Sequence, residues 1–175
     1  MSARLTTAIR IGDAARAVFR KTQSFPERDL GGPPDLSHFQ EMGVEPMLLA
    51  LSMELALKAW FVFDYDDPKY SKSHDLARLF DALKPESKEK LDAEFKRSVA
   101  PYHPNFFHVN YGIGHVMFQH KDAFIDWRYL HEPKSTMFEL GVFEATLEMV
   151  LSTFEKRYRT VWIEPLGSPL KLPSV

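Results

Sequence analysis

EPMLLALSMELALKAWFVFDYDDPKYSKSHDLARLFDAL, residues 45–83, is the stretch that decides the fold. Between Leu48 and Phe63 only Ser52, Glu54 and Lys58 are strongly polar. A helix so covered with apolar side chains belongs in the middle of a helical bundle. Glu54 and Lys58 stand one turn apart with the acid first, the spacing at which the two side chains pair along one polar edge. DYDDPKYSK then ends the helix. Ser73 is the expected N-cap of the next one, Asp75 favours the positive end of its dipole, and Leu76, Leu79, Phe80 and Leu83 form its apolar stripe.

Outward from this stretch the repeat is helical wherever there is a repeat. Ala8, Ile11, Ala15, Val18 and Phe19 recur at steps of three and four, and their small apolar face predicts a closely packed helix over 3–22. Residues 23–40 hold three prolines and two glycines and form a long loop. The central helix is predicted over 41–64, followed by 73–83 and by 85–99, which Pro85 opens. After a Pro-broken aromatic segment at 98–111, Ile113, Met117, His120, Phe124, Trp127 and His131 make one regular stripe, predicting a single helix over 112–131. Thr136 and Glu139 have capping-box spacing at the start of a last helix to 159, and Lys156, Arg157 and Arg159 suit its negative end. Residues 160–175 read as an extended tail. No segment keeps a two-residue alternation, so the expected architecture is all-α: an up-and-down helical bundle of five to six helices in one domain, 1–175.

Composition narrows the function classes. With 45% apolar residues the chain holds a substantial core, and 22 Lys plus Arg against 24 Asp plus Glu leave no global field to draw it onto nucleic acid or an anionic membrane. Any RNA contact must be local. The chain has no cysteine, which removes disulfides, thiolate metal sites and thiol nucleophiles and suits a cytoplasmic location. Glu54 and Lys58 interrupt the best candidate for a membrane span, and the N-terminus has no hydrophobic segment of signal-peptide type. No membrane association is expected.

ELALKAWF at 54–61, SHDLARLFDAL at 73–83, AFIDWRYLHE at 123–132 and a long final helix, in that order, resemble the HEPN superfamily of small helical domains. The resemblance covers 41–158. It implies a bundle that is commonly dimeric and occurs in toxin–antitoxin, phage-defence and nucleotide-handling systems. It also implies, for many members, metal-independent endoribonuclease activity carried by an Arg and a His with four to six residues between them. There the His transfers a proton at the ribose hydroxyl and the Arg stabilises the charge of the phosphoryl transition state.

In DWRYLHE only two residues separate Arg128 from His131, although residues three apart on a helix are still surface neighbours. Arg128 also suits an ion pair with Asp126, Glu132 or another helix, and His131 a polar end to the core stripe. Arg97 and His103 satisfy the family spacing literally but straddle Pro101 at a helix end. Five of the seven histidines, at 103, 108, 115, 120 and 131, cluster in sequence, yet His115 and His120 are five apart, about 500° around a helix, and do not face one ion. His74 reads as a packing and hydrogen-bonding residue, Asp64 to Asp67 as a solvated helix-ending turn, and Tyr102, Phe106, Phe107 and Tyr111 as a loop plug or interface patch. The expectation is therefore a binding or regulatory module, a homodimer, in defence or toxin–antitoxin biology. Its groove around Asp126, Arg128, His131 and Glu132 receives RNA, a nucleotide or a protein, with no metal and no cofactor. The alternatives are a metal-independent endoribonuclease with Arg128 and His131 as catalytic residues, and a purely structural dimerisation domain.

Overall fold

The computed structural model describes residues 3–24, 44–67, 72–105, 110–128 and 138–163. Among them every regular element is a helix: α1 (Ala3–Thr22), α2 (Val44–Tyr65), α3 (Leu76–Asp81), α4 (Pro85–Ser98), α5 (Ile113–Gln119), α6 (Ala123–Arg128) and α7 (Leu140–Ile163). The all-α bundle expected from the sequence is the architecture observed.

α2 is the hub. Its side chains are buried on successive turns, with Leu49, Met53, Leu57, Trp60 and Val62 all but inaccessible, and α1, α3, α6 and α7 pack around it. Leu51, Leu55 and Phe61 line its edge and are half-buried. By length and hydropathy α2 could cross a bilayer despite Glu54 and Lys58, but 67% of that apolar window is buried against the other helices. Its composition is explained by packing inside this chain.

α1 lies close against α2 because its contact face is nearly without side chains. Ala8 and Ala15 are fully buried, and at Gly12 an added Cβ would come 2.7 Å from Cε1 of Phe154 and 3.8 Å from Cβ of Ala59. Ser52 on α2 uses this approach to donate its hydroxyl hydrogen to the carbonyl of Ala15 at 2.7 Å. On the opposite side the Trp60 indole N–H donates to the carbonyl of Val150 on α7, and the Trp60 ring meets Phe154 at 5.7 Å between centroids.

The helix-ending turn expected to be solvated is exposed at Tyr65, Asp66 and Asp67, but Asp64 before them is a buried latch. Asp64 is fully buried at its side chain, where it pairs with Arg157 of α7 at 2.7 Å and accepts from the Ser87 hydroxyl at 2.8 Å and the Lys84 N–H at 3.3 Å. The Arg157 guanidinium also lies 4.9 Å from the Trp60 ring centre and 4.8 Å from that of Phe63. One acidic residue thus joins α2, the first turn of α4 and the last turns of α7. Asp66 follows at φ 51, the left-handed conformation that closes helices and that Asp tolerates.

Three boundaries differ from the sequence reading. The N-cap of α3 is Asp75, not Ser73: its carboxylate accepts from the Arg78 N–H, and the Ser73 hydroxyl accepts from the Asp75 N–H, both at 3.0 Å. The helix expected over 112–131 is two short helices, α5 and α6, separated at 120–122. His120 ends α5 with its backbone at φ −108 and ψ 20, out of helical register. α7 begins at Leu140 and continues to Ile163, so the first four residues of the expected tail are helical. The expected loop at 23–40 and the N-cap at Thr136 lie largely or wholly outside the described residues.

Candidate functional site

The three quoted motifs that carry the sequence resemblance meet at the junction of α2, α3 and α6. Glu54 and Lys58 form the pair expected from their spacing, but inside the protein: their side chains are 4% and 8% exposed, and Lys58 Nζ lies 2.5 Å from one Glu54 oxygen. The other Glu54 oxygen lies 2.8 Å from Nδ1 of His74, in the connector before α3. A carboxylate only accepts, so Nδ1 carries the hydrogen and the neutral ring presents Nε2 as an acceptor. The His74 ring stacks on Phe124 of α6 at 5.1 Å between centroids and 26° between planes. Its side chain remains 47% exposed, and Nε2 has no hydrogen-bond partner among the described residues.

This arrangement is built by ordinary packing. α6 lies against α2, and the Leu76 N–H donates at 3.0 Å to the carbonyl of Lys121 in the α5–α6 turn, which locks the start of α3 to the start of α6. The break in the expected long helix is what frees that carbonyl. A carboxylate holding one nitrogen of a half-exposed imidazole can set its tautomer and aim the other nitrogen at a ligand.

The candidate residues named from sequence are only partly placed. Asp126 is half-buried on α6, and position 128 ends that helix one turn after Phe124. The side chain of Arg128 and all of His131 and Glu132 lie outside the described residues. Arg97 is exposed and held by Glu94 through Nη2 at 2.6 and 2.7 Å; this hydrogen bond raises its pKa. His103 instead lines a cleft of about 390 Å³ with Tyr111, Glu139 and Gly141 at the start of α7. Burial, and then the nearby Glu139 carboxylate, push the Tyr111 hydroxyl pKa up.

Two of the clustered histidines, His115 and His120, serve separate structural ends. His120 is buried; its Nδ1 donates to the Val116 carbonyl at 2.8 Å and its Nε2 accepts from the Glu139 N–H at 3.0 Å, linking the end of α5 to the start of α7. Burial lowers its pKa, outweighing the opposite effects of the Val116 hydrogen bond and the Glu139 charge. His115 Nδ1 accepts from the Gly112 N–H at 3.3 Å in the first turn of α5. No group of three or more metal-ligating side chains occurs among the described residues. Tyr102 projects into solvent, Tyr111 packs edge-on against Phe95 at 5.3 Å, and Phe106, Phe107 and His108 lie outside the described residues.

Sequence reasoning missed the Glu54–His74 contact. Each residue was singled out, but 20 positions and a chain reversal separate them, and no periodicity connects them. The signal was the polar pair on an otherwise apolar hub helix, since a buried acid needs partners. The chain matches no family model, no curated protein and no solved structure.

Proposed function

We propose that this chain is a HEPN-like binding or regulatory module whose α6 surface, from Asp126 through Arg128 toward His131 and Glu132, receives single-stranded RNA or a nucleotide. The observation that supports it is the contact between motifs: His74 of SHDL is anchored on buried Glu54 and stacked on Phe124 of AFIDWR. A buried ion pair costs desolvation, and here it also fixes a half-exposed imidazole beside the helix that ends at Arg128. Homodimerisation and a place in defence or toxin–antitoxin biology, in a cytoplasmic setting, belong to the same proposal.

The second reading is a metal-independent endoribonuclease that uses Arg128 and His131. The carboxylate-backed imidazole of His74 favours it, because a proton acceptor held in one tautomer is a working part of many hydrolytic sites. The two readings separate in one experiment. The intact chain is incubated with labelled single-stranded RNA in EDTA, and binding and product are followed together. The module binds without turnover, and Arg128→Ala weakens binding. Metal-independent cleavage lost on the order of 10²-fold or more in both Arg128→Ala and His131→Ala, with the fold retained, establishes the ribonuclease instead. Neither binding nor cleavage leaves the purely structural domain.

A further inference from the structure

The side chain of His74 is half-exposed, and its Nε2 has no hydrogen-bond partner among the described residues. We infer that His74 is a ligand-contacting residue of this site, whose Nε2 accepts a hydrogen bond from a ribose 2′-hydroxyl of single-stranded RNA. The inference rests on the RNA reading above and identifies what distinguishes RNA from DNA there.

Two contacts fix the imidazole and leave one nitrogen for a ligand. Glu54 takes the Nδ1 hydrogen and is itself held by Lys58, so the imidazole cannot turn without leaving a buried carboxylate short of a partner. Stacking on Phe124 fixes the ring plane. What remains is a single acceptor nitrogen on a 47% exposed side chain, the complement of a hydroxyl donor rather than of a phosphate oxygen.

The surroundings fit a nucleotide chain. Lys121, whose carbonyl holds the start of α3 two residues after His74, places its Nζ 5.3 Å from the ring centre of Phe118. That ring is 66% exposed on α5, a stacking surface for a base with a cation beside it. Arg78 adds an exposed guanidinium one turn into α3. Asp75 and Asp122 lie against Arg78 and Lys121 at 3.4 and 3.9 Å, so the patch has little net charge. Recognition here depends on stacking and on the hydroxyl, which single-stranded RNA offers and DNA lacks.

The test uses the intact chain with an RNA oligonucleotide and the DNA oligonucleotide of the same sequence. His74→Asn is the discriminating variant: its side-chain amide can still donate toward Glu54 but has nothing in place of Nε2. The parent is expected to prefer RNA, and His74→Asn to lose about tenfold in RNA affinity with DNA affinity unchanged, which removes the preference. His74→Gln, which reaches the Nε2 position, restores part of it. Equal RNA affinity in the parent and His74→Asn overturns the inference while leaving the RNA reading intact. Absence of RNA binding by the parent overturns both. If His74→Asn fails to fold, the parent is titrated with RNA oligonucleotides that each carry one 2′-deoxy substitution: a loss of about tenfold at one position supports the inference, and equal affinity at every position overturns it.

Discussion

His120 shows how much one side chain can decide. Its two ring nitrogens satisfy the Val116 carbonyl and the Glu139 N–H, and Phe138 and Phe143 each meet its ring at 4.9 Å. The folded pKa is lowered by burial, so the unfolded chain binds the proton first as pH falls. Stability from the neutral ring is therefore complete above the unfolded value of about 6.5 and is lost as pH falls through the folded pKa. Denaturant unfolding at pH 7 should show His120→Ala destabilised by about 1–3 kcal/mol. The difference between parent and variant should shrink toward pH 5; a difference that holds constant would show that folding leaves the proton affinity of the ring unchanged, and one that grows would show that the fold favours the charged ring. Gly112 is fixed by a different constraint: a Cβ there would stand 2.2 Å from Oδ1 of Asp92, the oxygen that accepts the Ile113 N–H at 3.1 Å.

Among the elements, α2 was legible because a helix apolar all round has only one place to go. The break between α5 and α6 was not. The stripe at Ile113, Met117, His120 and Phe124 keeps its spacing across the break, and neither Gly nor Pro stands at 120–122. What ends α5 is long-range: the Lys121 carbonyl serves Leu76 and the His120 ring serves Glu139. Likewise the Glu54–Lys58 pair could be read from spacing, but its burial and its third member could not. Removing Glu54 leaves Lys58 buried without its carboxylate, so Glu54→Ala should cost about 3–5 kcal/mol. The double replacement Glu54→Met with Lys58→Met should be markedly less destabilising than Glu54→Ala alone, because no buried charge remains. Urea unfolding measures both. Equal loss in the two proteins would mean that the pair matters for shape and not for charge.

For the whole molecule the proposal has two parts, association and ligand position. Ile113, Met117 and His120 face into this chain's own core, so that stripe lends little surface to a dimer. The homodimer in the proposal should register by light scattering at tens of micromolar as about twice 20.2 kDa, whereas 20.2 kDa rejects it. Ligand position is the central claim, and backbone amide shifts of the labelled protein, titrated with single-stranded RNA, test it most directly. The largest changes are expected at His74, Lys121, Phe124, Asp126 and Arg128. Changes confined to the separate cleft at His103, Tyr111 and Glu139, or no changes at saturating RNA, would contradict it.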